Sequence, residues 1–321
     1  MHVAVVGAGA LGRLFGVHLA TAGERVSFVV RPSRLGRTEP FALLRLNGDR
    51  RYRELPEPEL VTSVPVDASA IVLAVRAEQI DEALAQVLQS SPPVPVISLT
   101  PLLDESLERL ERLVGGRTVV AMPAVAGLLE SGVVRYVAFR LLPTLVEQRP
   151  EHALVLDALT HALLRSGLAA RLSEDVRRRN PATTVAFFPL TLALAAAGSA
   201  AALARHSDLK ELAARACRET LALGRRVGPV EPAAALAARF VTPARLTFAL
   251  ELVRRLAPRA VRFAERHYGD KLVEQNEAMG REILAMGRRH GVSLTAFEEL
   301  LDACRLDVGS PRKHEERASV I

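Results

Sequence analysis

The chain lacks tryptophan altogether, and aromatic residues make up only 4% of its 321 positions. Its core must therefore be built from Ala, Leu and Val. Lysine is nearly missing too, confined to Lys210, Lys271 and Lys313. The net charge of +6 accordingly rests on arginine, a bias expected of a GC-rich genome rather than of a nucleic-acid surface. No basic run is interleaved with aromatics, which speaks against a stacking platform for single strands. Cysteine is limited to Cys217 and Cys304, without a CxxC pair or a nearby histidine pair. A disulfide framework or zinc site is thereby disfavoured, and a reduced cytoplasmic protein fits best. The first apolar stretch has no positive segment before it and is rich in glycine, so it reads as a strand and loop rather than a leader.

Long apolar runs are scarce, with one exception. From Ala182 to Ala204 no residue is charged, a length that would span a bilayer. Pro189, Gly198 and the abundance of weakly apolar Ala favour a buried helix instead, so no membrane partner is expected.

What is present is organised in two halves. Up to about Pro150, strand-like runs such as "HVAVVGAG", "RVSFVVR", "AIVLAVRAEQ", "VPVISLT", "RTVVAMPAVAG" and "GVVRYVAFRLL" alternate with helical ones. Asn47-Gly48 marks a hairpin. Such alternation predicts an α/β domain with a doubly wound parallel sheet over 1–150. Helical periodicity dominates afterwards, predicting an all-helical second domain over 151–306 and a flexible tail over 307–321.

The opening "VVGAGALG" matches G-x-G-x-x-G as Gly7, Gly9 and Gly12, directly after a strand and before a helix. The first glycine permits a tight turn, the second lets backbone approach a pyrophosphate, and the third lets helix pack on strand. With Ala10 and Leu11, the helix start offers free N–H groups and a positive dipole to phosphates. This predicts dinucleotide binding. At the end of the second strand an NAD site places a carboxylate, but here "RPSRLGR" offers Arg31, Ser33, Arg34 and Arg37, with no carboxylate before Glu39. Guanidinium groups grip a 2′-phosphate bidentately, so the expected cofactor is NADP(H).

"GAGALG", Arg31 and "IVLAVRAEQ" together resemble the ketopantoate reductase (2-dehydropantoate 2-reductase) family, whose members join a Rossmann domain to a helical one. The resemblance covers the chain to about residue 145. It implies hydride transfer from NADPH to a 2-keto acid, with Arg76 standing where the family has a cofactor-contacting Lys, and Gln79 kept. It also implies an Asn after the fifth strand, where this chain has Thr100-Pro101. The family's Lys general acid falls on Asn180, or on Arg178 or Arg179 when the gap is moved. Its late Glu falls in "KLVEQNEAMG", where Glu274, Gln275 and Glu277 compete.

An arginine, with its pKa above 12, cannot serve as proton donor at neutral pH, although it can bind a carboxylate. Lys271 and Glu274, one helical turn apart, form a substitute pair, with a solvated ion pair as the plainer reading. The candidate catalytic residues are thus Lys271, Glu274, Asn180 and Thr100. Those for the cofactor are Gly7, Gly9, Ala10, Leu11, Gly12, Arg31, Ser33, Arg34, Arg76, Gln79 and Thr100. No metal is expected. The expected substrate is a small anionic carbonyl or imine, with ketopantoate itself doubtful. A catalytically silent NADP-binding sensor or scaffold is the alternative. Helical second domains of this kind often pair between subunits, which makes a homodimer the expected assembly.

Overall fold

The computed structural model describes residues 1–36, 39–48, 51–138, 142–256, 261–263, 265 and 273–308. The chain divides into two compact units, Met1–Asn180 and Pro181–Ile321. The character of the sequence changes near Pro150, yet the helix α4 (Ala153–Arg165) and a strand β12 (Ala170–Ser173) still belong to the first unit. β12 pairs parallel to β11 (Thr144–Glu147), so this stretch completes the sheet instead of starting the helical part.

In the first unit, short β-branched runs form the middle of an eight-stranded sheet. β1 (His2–Val6) is buried along its whole length, as a strand covered on both faces must be. It lies between β2 (Arg25–Val29) and β6 (Ala70–Leu73), parallel to both. β5 (Glu59–Val61) follows beyond β2, and β7 (Val96–Ser98), β8 (Thr118–Met122), β11 and β12 follow beyond β6. β11 pairs antiparallel to β8, so β11 and β12 run against the other six strands. The helix α1 (Ala10–Thr21) joins β1 to β2, and Gly23, at φ +89°, turns the chain after it. α2 (Glu82–Gln89) and α3 (Asp104–Val114) make the crossovers on the other side. The strand order reverses between β1 and β6, so their carboxyl ends form the switch point where ligands bind in open α/β sheets.

A second, four-stranded sheet was not foreseen. The Asn47-Gly48 hairpin joins β3 (Phe41–Arg45) to β4 (Tyr52–Leu55), and β3 then pairs parallel to β10 (Val133–Ala138). β10 is also paired with β9 (Val125–Glu130) through a two-residue turn. Ser131 (φ +47°) and Gly132 (φ +81°) both adopt positive φ there, the requirement of the tightest hairpin turn. Phe41, Leu43 and Tyr136 from this sheet share a core with Leu14 and Phe15 of α1.

The second unit is helical. α5 (Val176–Ala197) begins at the end of the first unit and runs into the second. It is long and apolar enough to cross a membrane by length and composition, but 61% of its apolar window is buried within the protein. Gly198 (φ +72°) ends it, so the uncharged stretch to Ala204 is a helix and the start of another, α6 (Ala200–Arg205). α7 (Ser207–Val227), α8 (Pro232–Phe240), α9 (Pro243–Leu256), α10 (Val273–Arg289) and α11 (Thr295–Val308) follow. Glu219 of α7 accepts from Ala296 N (3.1 Å) and Phe297 N (3.0 Å), satisfying the open amides that start α11. The expected tail lies outside the described residues from 309 onward.

Candidate functional site

Each glycine of the opening turn does a different job. A Cβ on Gly12 would stand 1.8 Å from the Gly7 carbonyl oxygen, so only glycine lets α1 approach the turn. Gly7 has φ +98°, and a Cβ there would meet Val75 and Ala74, in the segment after β6. Gly9 differs: a Cβ built on it meets nothing within 4 Å. That space lies over the start of α1, where no side chain caps the helix and no acid sits in the first turn. An uncapped positive helix end of this kind suits the pyrophosphate of a dinucleotide. Gly16 adds a requirement the motif does not contain, since a Cβ there would come within 2.4 Å of the Phe28 ring.

Two further loops leave the same edge on either side of the turn. After β2, Arg31 leads into a short 3-10 turn, Pro32–Arg34, and Arg31, Ser33 and Arg34 are all exposed. Arg37 lies outside the described residues. After β6, Arg76 leads into a second such turn, Ala77–Gln79, in which the Gln79 side chain accepts from the Arg76 backbone N–H (3.1 Å). The residues chosen for the cofactor from sequence thus come together around the switch point.

The residues chosen for chemistry are arranged otherwise. Thr100 is buried, and its hydroxyl donates to the Val75 carbonyl, tying the end of β7 to the segment after β6. Asn180 is buried as well, its Nδ2 donating to Ala121 O (3.1 Å) at the end of β8. Arg177 forms an ion pair with Glu111. It also donates twice to Glu147, at 2.7 and 3.0 Å, and once to Thr118 O (2.9 Å). Burial lowers its pKa, but the Glu147 and Glu111 carboxylates outweigh that, and the net shift is upward. Glu147, itself buried, also accepts from Val120 N (2.9 Å). Arg179 grips Asp175 through Nε at 3.1 Å to both oxygens, holding that carboxyl below its ordinary range. Of the neighbouring Arg177, Arg178 and Arg179, only Arg178 is exposed. Lys271 and the Glu274 side chain lie outside the described residues. Lys210, the one described lysine, donates to Ala204 O and to Thr247 Oγ1, each at 2.7 Å.

Sequence reasoning missed Arg13. It sits in the first turn of α1, and its Nε donates to Ala8 O (3.0 Å) within the glycine turn. Its Nη1 donates to Gly132 O (3.3 Å), and its guanidinium lies 4.0 Å from the Phe41 ring centre. The signal was available, because a cation opposes the dipole at a helix start and is unusual there.

No group of acidic, histidine and cysteine side chains suited to a metal ion occurs among the described residues.

The strand order, its switch point and the glycine turn between β1 and α1 define a Rossmann-type α/β domain joined to a helical part. Residues 3–136 match the family model described as Ketopantoate reductase PanE/ApbA. Solved structures extend the likeness in fold over nearly the whole chain, at low identity. A PanE/ApbA family ketopantoate reductase from Ralstonia eutropha JMP134 superposes with a TM-score of 0.68 at 20% identity, covering 96% of this chain and 98% of that one. A D-mandelate dehydrogenase in ternary complex with NADH and anilino(oxo)acetate gives 0.65 at 18%, with coverages of 96% and 98%. A dimeric ketopantoate reductase from Staphylococcus aureus gives 0.64 at 14%, again covering 96% and 98%. No curated protein matches the sequence.

Proposed function

We propose that the protein is an NADPH-dependent reductase of a 2-keto acid or a related anionic carbonyl or imine. The observation that carries this is the space over Gly9 at the uncapped start of α1, with the Arg31–Arg34 loop beside it. Gly7, Gly9, Ala10, Leu11 and Gly12 would hold the pyrophosphate on backbone N–H groups. Arg31, Ser33 and Arg34 would hold the 2′-phosphate, with Arg76, Gln79 and Thr100 bordering the rest of the cofactor. The family match and the resemblance to a dehydrogenase of a 2-hydroxy acid support the substrate class. When bound, NADPH supplies a hydride. The protein must then supply a proton to the forming alkoxide and a cation for the substrate carboxylate. Lys271 and Glu274 are the proposed proton source, and exposed Arg178 is available to a carboxylate. A cytoplasmic homodimer is proposed by analogy with the dimeric relative.

A second reading is favoured by a specific observation. Thr100, Asn180, Arg177 and Arg179 are each engaged by the protein itself, which leaves none of them poised as a donor. A protein that binds NADPH without turnover would look like this. Oxidation of NADPH followed by absorbance, with ketopantoate and other 2-keto acids and with NADH in parallel, separates the two. Turnover preferring NADPH supports the reductase. NADPH binding by fluorescence without turnover on any 2-keto acid supports the silent binder. Failure to bind either nucleotide overturns both.

A further inference from the structure

Arg13 is a cation in an unfavourable place. It is 5% exposed, it stands in the first turn of α1 where the helix dipole already presents positive charge, and the acceptors of its hydrogen bonds are neutral carbonyls. Among the described residues no carboxylate pairs with it. Its desolvation is joined by repulsion from Arg34, with only the smaller attraction of Glu39 against them, and its pKa is lowered. The Phe41 ring face offers partial compensation. A buried charge held in this way becomes favourable when an anion settles over the same turn.

Its geometry also acts on the turn. The Ala8 carbonyl and the Gly9 N–H belong to one planar trans peptide and point in opposite directions. By fixing Ala8 O at 3.0 Å, Arg13 fixes the direction of the Gly9 N–H, for which no described group of the protein is an acceptor.

We infer that Arg13 is a positioning residue of the dinucleotide site, orienting the Gly9 amide toward the pyrophosphate and favouring, through its charge beside Arg34, the more anionic NADPH over NADH. This rests on the cofactor reading above. Arg13 touches no cofactor atom in this account. It acts through the Ala8–Gly9 peptide and through its field.

The test is fluorescence titration of NADPH and NADH into the full-length wild type, R13Q and R13K, with thermal melting of each without nucleotide. Wild type is the control on the cofactor reading. If it binds neither nucleotide, that reading falls and this inference with it. Given wild-type binding, R13Q should weaken NADPH by about tenfold, equivalent to ~1.4 kcal/mol, and NADH by about threefold. R13K keeps the charge but loses the carbonyl fork, so it should weaken both nucleotides while retaining the wild-type NADPH-to-NADH ratio. Equal losses in R13Q, or no loss, would overturn the inference, since a merely structural arginine moves both affinities alike. Should R13Q not fold, R13K decides: unchanged affinity for both nucleotides, or a fallen ratio, overturns it.

Discussion

Around the end of β1 the chain leaves space, whereas around the ends of β7 and β8 it closes it. Both neighbourhoods lie on the carboxyl edge of one sheet. Gly9 has nothing within 4 Å of where its side chain would be, and the helix beside it is uncapped. At the other place Thr100 and Asn180 spend their donors on Val75 and Ala121, while Arg177, toward the amino end of β8, spends its own on Thr118, Glu111 and Glu147. The first region is built for a visitor. The second is built to hold strands and helices in register. Thr100 and Asn180, which the sequence reading placed near the reaction, here each bond to a backbone carbonyl of the sheet or its loops.

That contrast can be broken by substitution. The largest effect is expected at Gly12, since a Cβ would stand 1.8 Å from the Gly7 carbonyl. Gly12→Ala should cost on the order of 4 kcal/mol in urea unfolding, at the severe end for single changes. Next comes Arg177→Met, which removes two hydrogen bonds from the buried Glu147 and leaves it only the longer pair with Arg149 at 3.6 Å. A loss of about 3 kcal/mol is expected, and a loss below ~1 kcal/mol would place Arg177 with the binding groups rather than the scaffold.

α1 carries a third test at its far end. His18 is enclosed by Ser166 (2.9 Å) and Tyr136 (3.1 Å). Burial, then the Arg53 charge, lower its pKa to about 4. The unfolded chain binds a proton near the ordinary pKa of about 6.5, and the folded chain does so only near 4. Stability is therefore fully present above ~6.5 and is lost as the pH falls toward 4, by roughly 3 kcal/mol. A His18→Gln variant should flatten that slope in unfolding curves across the same window.

Two smaller effects sharpen the comparison. Asn180→Ala removes the donor to a buried carbonyl and should cost about 1–3 kcal/mol in thermal or urea unfolding. Gly9→Ala meets open space at negative φ, so its stability should stay within ~0.5 kcal/mol of wild type. It should nonetheless weaken NADPH by at least about tenfold in a fluorescence titration, because the methyl group fills the cradle. If Gly9→Ala binds NADPH normally, the space over the turn is not the cofactor's.

The glycine turn and the strands around it were legible because both are local. Gly7, Gly9 and Gly12 lie within one short segment, and periodicity reveals each strand by itself. The four-stranded sheet was not legible, since it pairs β3 with β10 across about half of the first unit. The end of the first unit was obscured by α4, whose helical pattern hides that the chain returns to the sheet at β12. At the candidate site, Arg31, Ser33, Arg34, Arg76 and Gln79 could be read from strand ends. What Thr100 and Asn180 bond to could not, because Val75 and Ala121 are brought to them by folding. Arg13 was hidden by the glycines on which the motif draws attention.

The parallel pairing of β3 with β10 also has a consequence in time. Contacts so far apart in sequence incur a larger loop-closure entropy before they return any energy, and contact-order reasoning puts them late. β1, α1 and β2 need only neighbouring chain. Gly132, which Arg13 reaches from the glycine turn, arrives only when the small sheet closes. The turn is written in the first segment of the domain and finished among the last.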